Sequence, residues 1–123
     1  MKILLIGMGG FLGAVARYYV SQGSVSLLGS KFPYGTMIVN VVGSFALGVL
    51  FVLSFEKFMI SENMRLLIAV GFLGAFTTFS TFSVEALTLL RTGALTSAFM
   101  YIMGNFALGL LAAFIGLLVA RGL

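Results

Sequence analysis

The densest chemistry in this chain lies between Gly71 and Glu85. It reads Gly71-Phe72-Leu73-Gly74-Ala75-Phe76-Thr77-Thr78-Phe79-Ser80-Thr81-Phe82-Ser83, with Glu85 two residues on. Hydroxyls fill five of the seven positions from Thr77 to Ser83. On a continuous helix Thr77, Ser80 and Thr81 share one face, and Phe72, Phe76, Phe79 and Phe82, spaced by four, three and three, form an aromatic stripe beside it. A hydroxyl both donates and accepts, so such a row is able to replace part of an ion's water shell. The competing use is local: each hydroxyl bonds back to a carbonyl of its own helix. Elsewhere the polar groups come in pairs four apart, Asn40 with Ser44 and Tyr101 with Asn105, each pair on one helical face. Arg17 is the lone cation within the first apolar run.

Other chemistries are excluded by what is missing. There is no Cys and no His, so thiol nucleophiles, disulfides, zinc sites and imidazole acid–base catalysis are unavailable. The acids are Glu56, Glu62 and Glu85, in different parts of the chain, and no paired carboxylate can be built from neighbours. These counts argue against an enzyme. The net charge of +4 comes without any run of Lys or Arg, which fits anchoring to anionic lipid headgroups and not nucleic-acid binding.

The elements that hold these residues follow from hydropathy. Hydrophobic residues make up 61% of the chain, charged residues 8%, and the mean hydropathy is +1.21. A soluble domain is nearer one quarter charged, because its surface faces water. Lipid as solvent removes the contradiction. Four apolar stretches are long enough to span a bilayer, which needs about 20 residues. The first runs from Ile3 to about Val20, followed by a Ser/Gly-rich loop from Ser21 to Pro33. It is too long for a signal-peptide core and lacks a convincing cleavage site, so it reads as a membrane helix. Pro33 suits the entry to the second, Tyr34 to Phe55. Ser61 is the expected N-cap of the third, with Glu62 in its first turn, and the apolar stretch runs from Leu66 to Leu90. The fourth begins near Ala94 and ends at Arg121 and Gly122. The expected fold is all-α, one four-helix transmembrane domain over residues 1–123.

With four spans, both termini share a side with the loop between helices two and three. That side carries Lys2, Lys57, Arg65 and Arg121, and the other carries Arg17, Lys31 and Arg91. An excess of one cation barely orients a protein. Insertion in both directions would permit an antiparallel dimer, although a one-charge bias or cellular factors would also suffice to fix one orientation. Small residues four apart (Gly9 and Gly13, Ser44 and Gly48, Gly71 and Ala75) allow close helix packing. Gly71 and Gly74 also invite a break in helix three at mid-membrane, tolerated only where protein or water satisfies the freed backbone.

The run from Gly71 to Ser83, with its Thr-Thr-Phe-Ser-Thr-Phe core, resembles the signature of the Fluc/CrcB family of fluoride channels. The segment from Gly9 to Tyr18 (Gly-Gly-Phe-Leu-Gly-Ala-Val-Ala-Arg-Tyr) is similar to that family's first-helix motif, and Gly35 to Phe45 to its second. The resemblance covers nearly the whole chain in order. It implies a passive, fluoride-selective channel in a bacterial plasma membrane, an antiparallel, dual-topology homodimer in the lipid bilayer with two ion pathways along the subunit interface. It assigns Phe79 and Phe82 to the pore lining, Asn40 to the pore asparagine, and Ser80 and Thr81 to a polar track. Ser44, Tyr101, Asn105 and Arg17 join them as ion-pathway candidates. It further implies a structural sodium ion at the dimer centre, on backbone carbonyls of Gly74 and Thr77. Helix four departs from the pattern: the family often has Ser or Thr at the turns after the tyrosine, and this chain has Asn105 and Gly109.

The nearest rival is a small proton-coupled multidrug exporter, also a four-helix antiparallel dimer. It needs an acid deep in the membrane core, yet helix one has none and Glu85 lies toward the end of helix three. A non-transporting membrane subunit would have no use for a hydroxyl-dense central helix.

Overall fold

The computed structural model describes residues 1–123 as helices alone. Helix α1 spans Lys2–Leu28, α2 spans Tyr34–Phe51 and runs on as a π-helical turn over Val52–Glu56. The third span is built in pieces: α3 (Glu62–Arg65), a π-helical segment (Leu66–Leu73), α4 (Gly74–Phe76), a gap, then α5 (Ser80–Arg91). Helix α6 spans Leu95–Arg121. Four helical units are long and apolar enough to cross a membrane, Lys2–Leu28, Tyr34–Glu56, Glu62–Arg91 and Leu95–Arg121. Large apolar side chains such as Phe99, Leu110 and Phe114 face outward, as a lipid solvent requires.

The largest departure from the sequence reading is in α1. Residues Ser21 to Leu28, expected as loop, continue the helix for two more turns, and the chain leaves it at Gly29, where φ is +85°. The serines there are helical because they pack. Ser24 donates to the Ser21 carbonyl at 2.8 Å, and both serines lie against Gly35 at the start of α2, where a Cβ would meet them. The extension moves Arg17 from a helix end to a point about 16 Å short of one, at 1.5 Å per residue. It therefore cannot snorkel out by one turn and no longer counts as a loop charge. Lys31 and Arg91 remain at that end, against Lys2, Lys57, Arg65 and Arg121 at the other, a less balanced count than the sequence suggested.

Two close helix pairs organise the molecule. Helix α1 lies on the Leu66–Leu73 segment, and α2 lies on α6. A Cβ at Gly13 would strike the Phe72 carbonyl, and one at Gly48 would strike the Ala113 carbonyl. Backbone thus touches backbone at both interfaces, the approach that small residues permit in membranes. One core cluster (Val39, Leu73, Phe76) joins α2 to the first half of the third span. The other (Phe82, Ala86, Leu89, Ala98, Tyr101) joins the second half to α6. Ser61 caps α3 as expected, its hydroxyl accepting from the Met64 N–H at 3.2 Å. Ion pairs Lys2–Glu62 and Arg121–Glu56, with Lys57 on the Leu123 carbonyl, tie the termini to the end of the second span and the start of the third.

Candidate functional site

The third span is broken, and the break lies three residues later than the glycines suggest. Gly71 is used for packing against α1, and Gly74 is still helical. The chain leaves the helix at Thr77, which is extended with φ −85° and ψ 159°. Five helical hydrogen bonds, those of the N–H groups of residues 78–82, are lost there, and several of the freed groups find other partners. Thr78 N–H, which would reach the Gly74 carbonyl, donates to Asn40 Oδ1 at 2.9 Å. The Ala75 carbonyl is taken instead by Arg17 Nε at 3.0 Å. Thr81 N–H, which would reach the Thr77 carbonyl, donates to Thr78 Oγ1 at 3.3 Å. The carbonyls of Gly74 and Thr77 are thereby left without these backbone partners.

Asn40 holds the far side of the gap. Besides accepting from Thr78 N–H, its Nδ2 donates to the Thr78 carbonyl at 3.1 Å and to Asn105 Oδ1 at 3.0 Å. The reciprocal pairing with a backbone N–H and C=O fixes which way the amide faces. Asn105 in turn donates to the Tyr101 carbonyl at 2.9 Å. Thr78 caps the start of α5 through its hydroxyl, which also donates to Thr81 Oγ1 at 3.0 Å and approaches Ser80 Oγ at 3.5 Å. The hydroxyl-rich run therefore divides. Thr77 and Ser83 bond back to their own helices, on the Leu73 and Phe79 carbonyls, while Thr78, Ser80 and Thr81 form a cluster at the gap.

The four-phenylalanine stripe does not exist as one face, because the interruption at Thr77 resets the helical phase. Phe72 and Phe76 stack at 5.6 Å on the α1 side. Phe79 and Phe82 pair at 5.7 Å on the other, and Phe82 meets Phe106 edge-on at 5.7 Å and Tyr101 at 5.4 Å. Phe82 is 6% exposed, whereas Phe79 is 70% exposed.

These groups surround a cleft of about 250 Å³ on the outside of the helix bundle, lined by Asn40, Ser44, Leu47, Thr77, Thr78, Phe79, Phe82, Asn105 and Phe106. Of the sequence candidates, Asn40, Ser44, Phe79, Phe82 and Asn105 come together there. Ser80 and Thr81 sit beside it through Thr78. Tyr101 is fully buried behind Phe82, its hydroxyl donating to Glu85 Oε1 at 2.7 Å. The same carboxylate oxygen accepts from Thr36 at 2.5 Å, so Glu85 bonds hydroxyls. Arg17 is not at the cleft but at the break, from the α1 side. Sequence reasoning missed Thr78, which periodicity places off the hydroxyl face until the break turns it inward. It also missed Thr36, although Thr36, Asn40 and Ser44 are spaced by four on α2.

A broken helix in a membrane presents two ends of opposite polarity. The carbonyl end at Gly74–Thr77 suits a hard cation, and the N-terminal end of α5, with Phe79, Ser80 and the Thr78 cluster, suits an anion. Known proteins resemble the chain along its length. The profile of the family described as CrcB-like protein, Camphor Resistance (CrcB) matches residues 4–117. A protein of Magnetococcus marinus named "Fluoride-specific ion channel FluC" is 46% identical over 121 residues, 98% of each chain. A protein of the same name from Rhizobium johnstonii is 45% identical over all of this chain and 98% of its own. One from Dehalococcoides mccartyi, again with that name, is 49% identical over 94% of this chain and 88% of its own. With its four membrane-length helices, its interrupted third span and this likeness along its whole length, the chain is a multi-pass membrane protein that belongs to the CrcB family.

Proposed function

We propose that this protein is a fluoride-selective passive channel, built as an antiparallel homodimer in the plasma membrane and letting fluoride leave down its electrochemical gradient. The observation that carries it is the cleft, where an exposed phenylalanine, Phe79, stands beside amide and hydroxyl groups at the N-terminal end of a half-helix. A phenyl edge is electron-poor and faces an anion favourably. Hydroxyls of Ser80, Thr81 and Ser44 supply donors of the short, strong kind that a small, tightly hydrated ion needs before it gives up water. Chloride, larger and more weakly hydrated, gains less from them and fits a narrow lining worse. Both amide hydrogens of Asn40 are engaged within the subunit, so donation to a passing ion requires it to release Asn105 or Thr78. Tyr101 acts behind Phe82, and Asn105 supplies from α6 what hydroxyls supply in many relatives of the family. An inside-negative potential drives the exit, at about 2.3 kcal/mol per charge for each 100 mV.

The dimer is supported by what one subunit leaves open. The cleft is a half-channel on the outside of the bundle, and Gly74, next to the freed carbonyls, is exposed. Irregular backbone facing lipid is not tolerated, so the break needs a cover. A second copy provides it, and the carbonyls of Gly74 and Thr77 from both copies would offer four oxygens to one structural sodium ion, whose charge would offset their exposed dipoles. The donor set fits: oxygens only, on backbone that has lost its helical partners. The antiparallel sense follows from the family resemblance, for the revised charge count does not favour it.

The test is anion efflux from liposomes holding the purified protein. Fast fluoride efflux without chloride leak is expected, and Phe79→Ile should slow fluoride at least about tenfold, the loss of roughly one favourable ion contact. No fluoride movement from well-folded wild-type protein would overturn the channel reading. A proton-coupled cation exporter would then be tried, although α1 lacks the acid that such a machine requires.

A further inference from the structure

We infer that Arg17 is a positioning residue, a C-cap supplied to the broken helix by its neighbour, and that it acts through its Nε–H and not through its charge. Three observations lead there. Gly9, Gly13 and Arg17 are spaced by four along α1, one stripe of one helix. The first two glycines meet the backbone of the third span at Leu67 and Phe72, so the stripe holds α1 against that segment without intervening side chains. One turn further, Arg17 reaches the place where the same segment ends, and its Nε donates to the Ala75 carbonyl at 3.0 Å.

A helix that ends inside a membrane leaves carbonyls with nothing to bond, and no water stands ready to replace the missing partners. An arginine Nε–H at a helix C-terminus satisfies an orphan carbonyl by direct donation. Ala75 lies between Gly74 and Thr77 in sequence. By taking the Ala75 carbonyl, Arg17 fixes the last turn and leaves its neighbours' carbonyls free, which is the arrangement that the proposed cation site uses. The inference rests on the channel reading for its transport arm only.

The side-chain chemistry supplies a decisive set of variants. A glutamine amide nitrogen is as many bonds from Cα as the arginine Nε, so Arg17→Gln keeps the donor in place and removes the charge. Arg17→Lys keeps the charge and moves the donor one atom outward. Arg17→Met keeps the stem and removes both. All three are purified as folded protein, judged by circular dichroism, and compared in two assays. The first is amide hydrogen exchange of the peptide containing residues 69–79, which needs no transport at all. The second is fluoride efflux from liposomes.

The expected result is that Arg17→Gln resembles the wild type in both assays, within about threefold, whereas Arg17→Met exchanges at least about tenfold faster in that peptide and transports at least about tenfold more slowly, as loss of one membrane-depth hydrogen bond implies. Arg17→Lys should fall with Arg17→Met. The inference is overturned if Arg17→Lys keeps transport and Arg17→Gln loses it, since charge would then be what matters. Equal exchange in Arg17→Met and the wild type would overturn it too. A wild type that moves no fluoride would defeat the channel reading, while the exchange assay would still decide the cap.

Discussion

The two halves of the third span end at the same gap and are finished in different ways. The first half, from Leu66 to Phe76, is held from outside: α1 lies on it backbone to backbone at Gly9 and Gly13, and Arg17 takes its Ala75 carbonyl. The second half, beginning at Ser80, is finished from within its own sequence, by the Thr78 hydroxyl on Thr81 N–H, and is then pinned to α2 by Asn40. One half exposes carbonyls and the other is fronted by hydroxyls. A single interruption thus separates the proposed cation place from the proposed anion place, a few residues apart, without any ionised acid between them.

Three substitutions would break or sharpen this contrast. The largest effect is expected from Asn40→Asp, because aspartate keeps the acceptor for Thr78 N–H and loses both donors, so that carboxylate, Thr78 carbonyl and Asn105 carbonyl oxygens face one another. Leaving such groups unpaired costs about 1–3 kcal/mol each, and the new negative charge repels anions, so fluoride efflux should fall about 100-fold or more. Efflux near the wild-type rate would mean that Asn40 does not hold the gap. Gly13→Val should come next and should act on the first half alone. Its side chain would enter the Phe72 carbonyl, and overpacking of this kind destabilises by about 1–3 kcal/mol. Thermal unfolding in detergent should show it, with hydrogen exchange rising in residues 66–76 and not in residues 80–91. The smallest effect belongs to Thr78→Val, which deletes the hydroxyl cap of the second half. A lost N-cap costs about 0.5–2 kcal/mol, read as faster exchange at Thr81 N–H with the first half unchanged. Equal changes in both halves for either variant would mean that the two are one cooperative unit.

Much of the site was legible because its polar residues are costly in lipid. Asn40, Ser44 and Asn105 stand out in an apolar chain, Phe79 and Phe82 are marked by the family resemblance, and all five line the cleft. Periodicity failed where the helix stops. It joined Phe72 and Phe76 to Phe79 and Phe82 as one stripe, and it passed over Thr78, because both inferences assume an unbroken 3.6-residue turn. Composition failed at the end of α1, where Ser21, Gly23 and Ser24 look like loop and are helical, the two serines packing on Gly35.

By itself, then, the sequence determined the membrane class, the four spans, the cap at Ser61 and the residues that would carry chemistry. Hydropathy and side-chain type act locally and along the chain, so they can be read there. Only the tertiary structure decided where the third helix breaks, which carbonyls it frees, and that Arg17 and Asn40 attend to opposite sides of the gap. Those outcomes depend on donors 38 and 58 residues away in the chain. No local pattern encodes a hydrogen bond between helices; it exists once backbone-to-backbone packing at the glycines has set the distance.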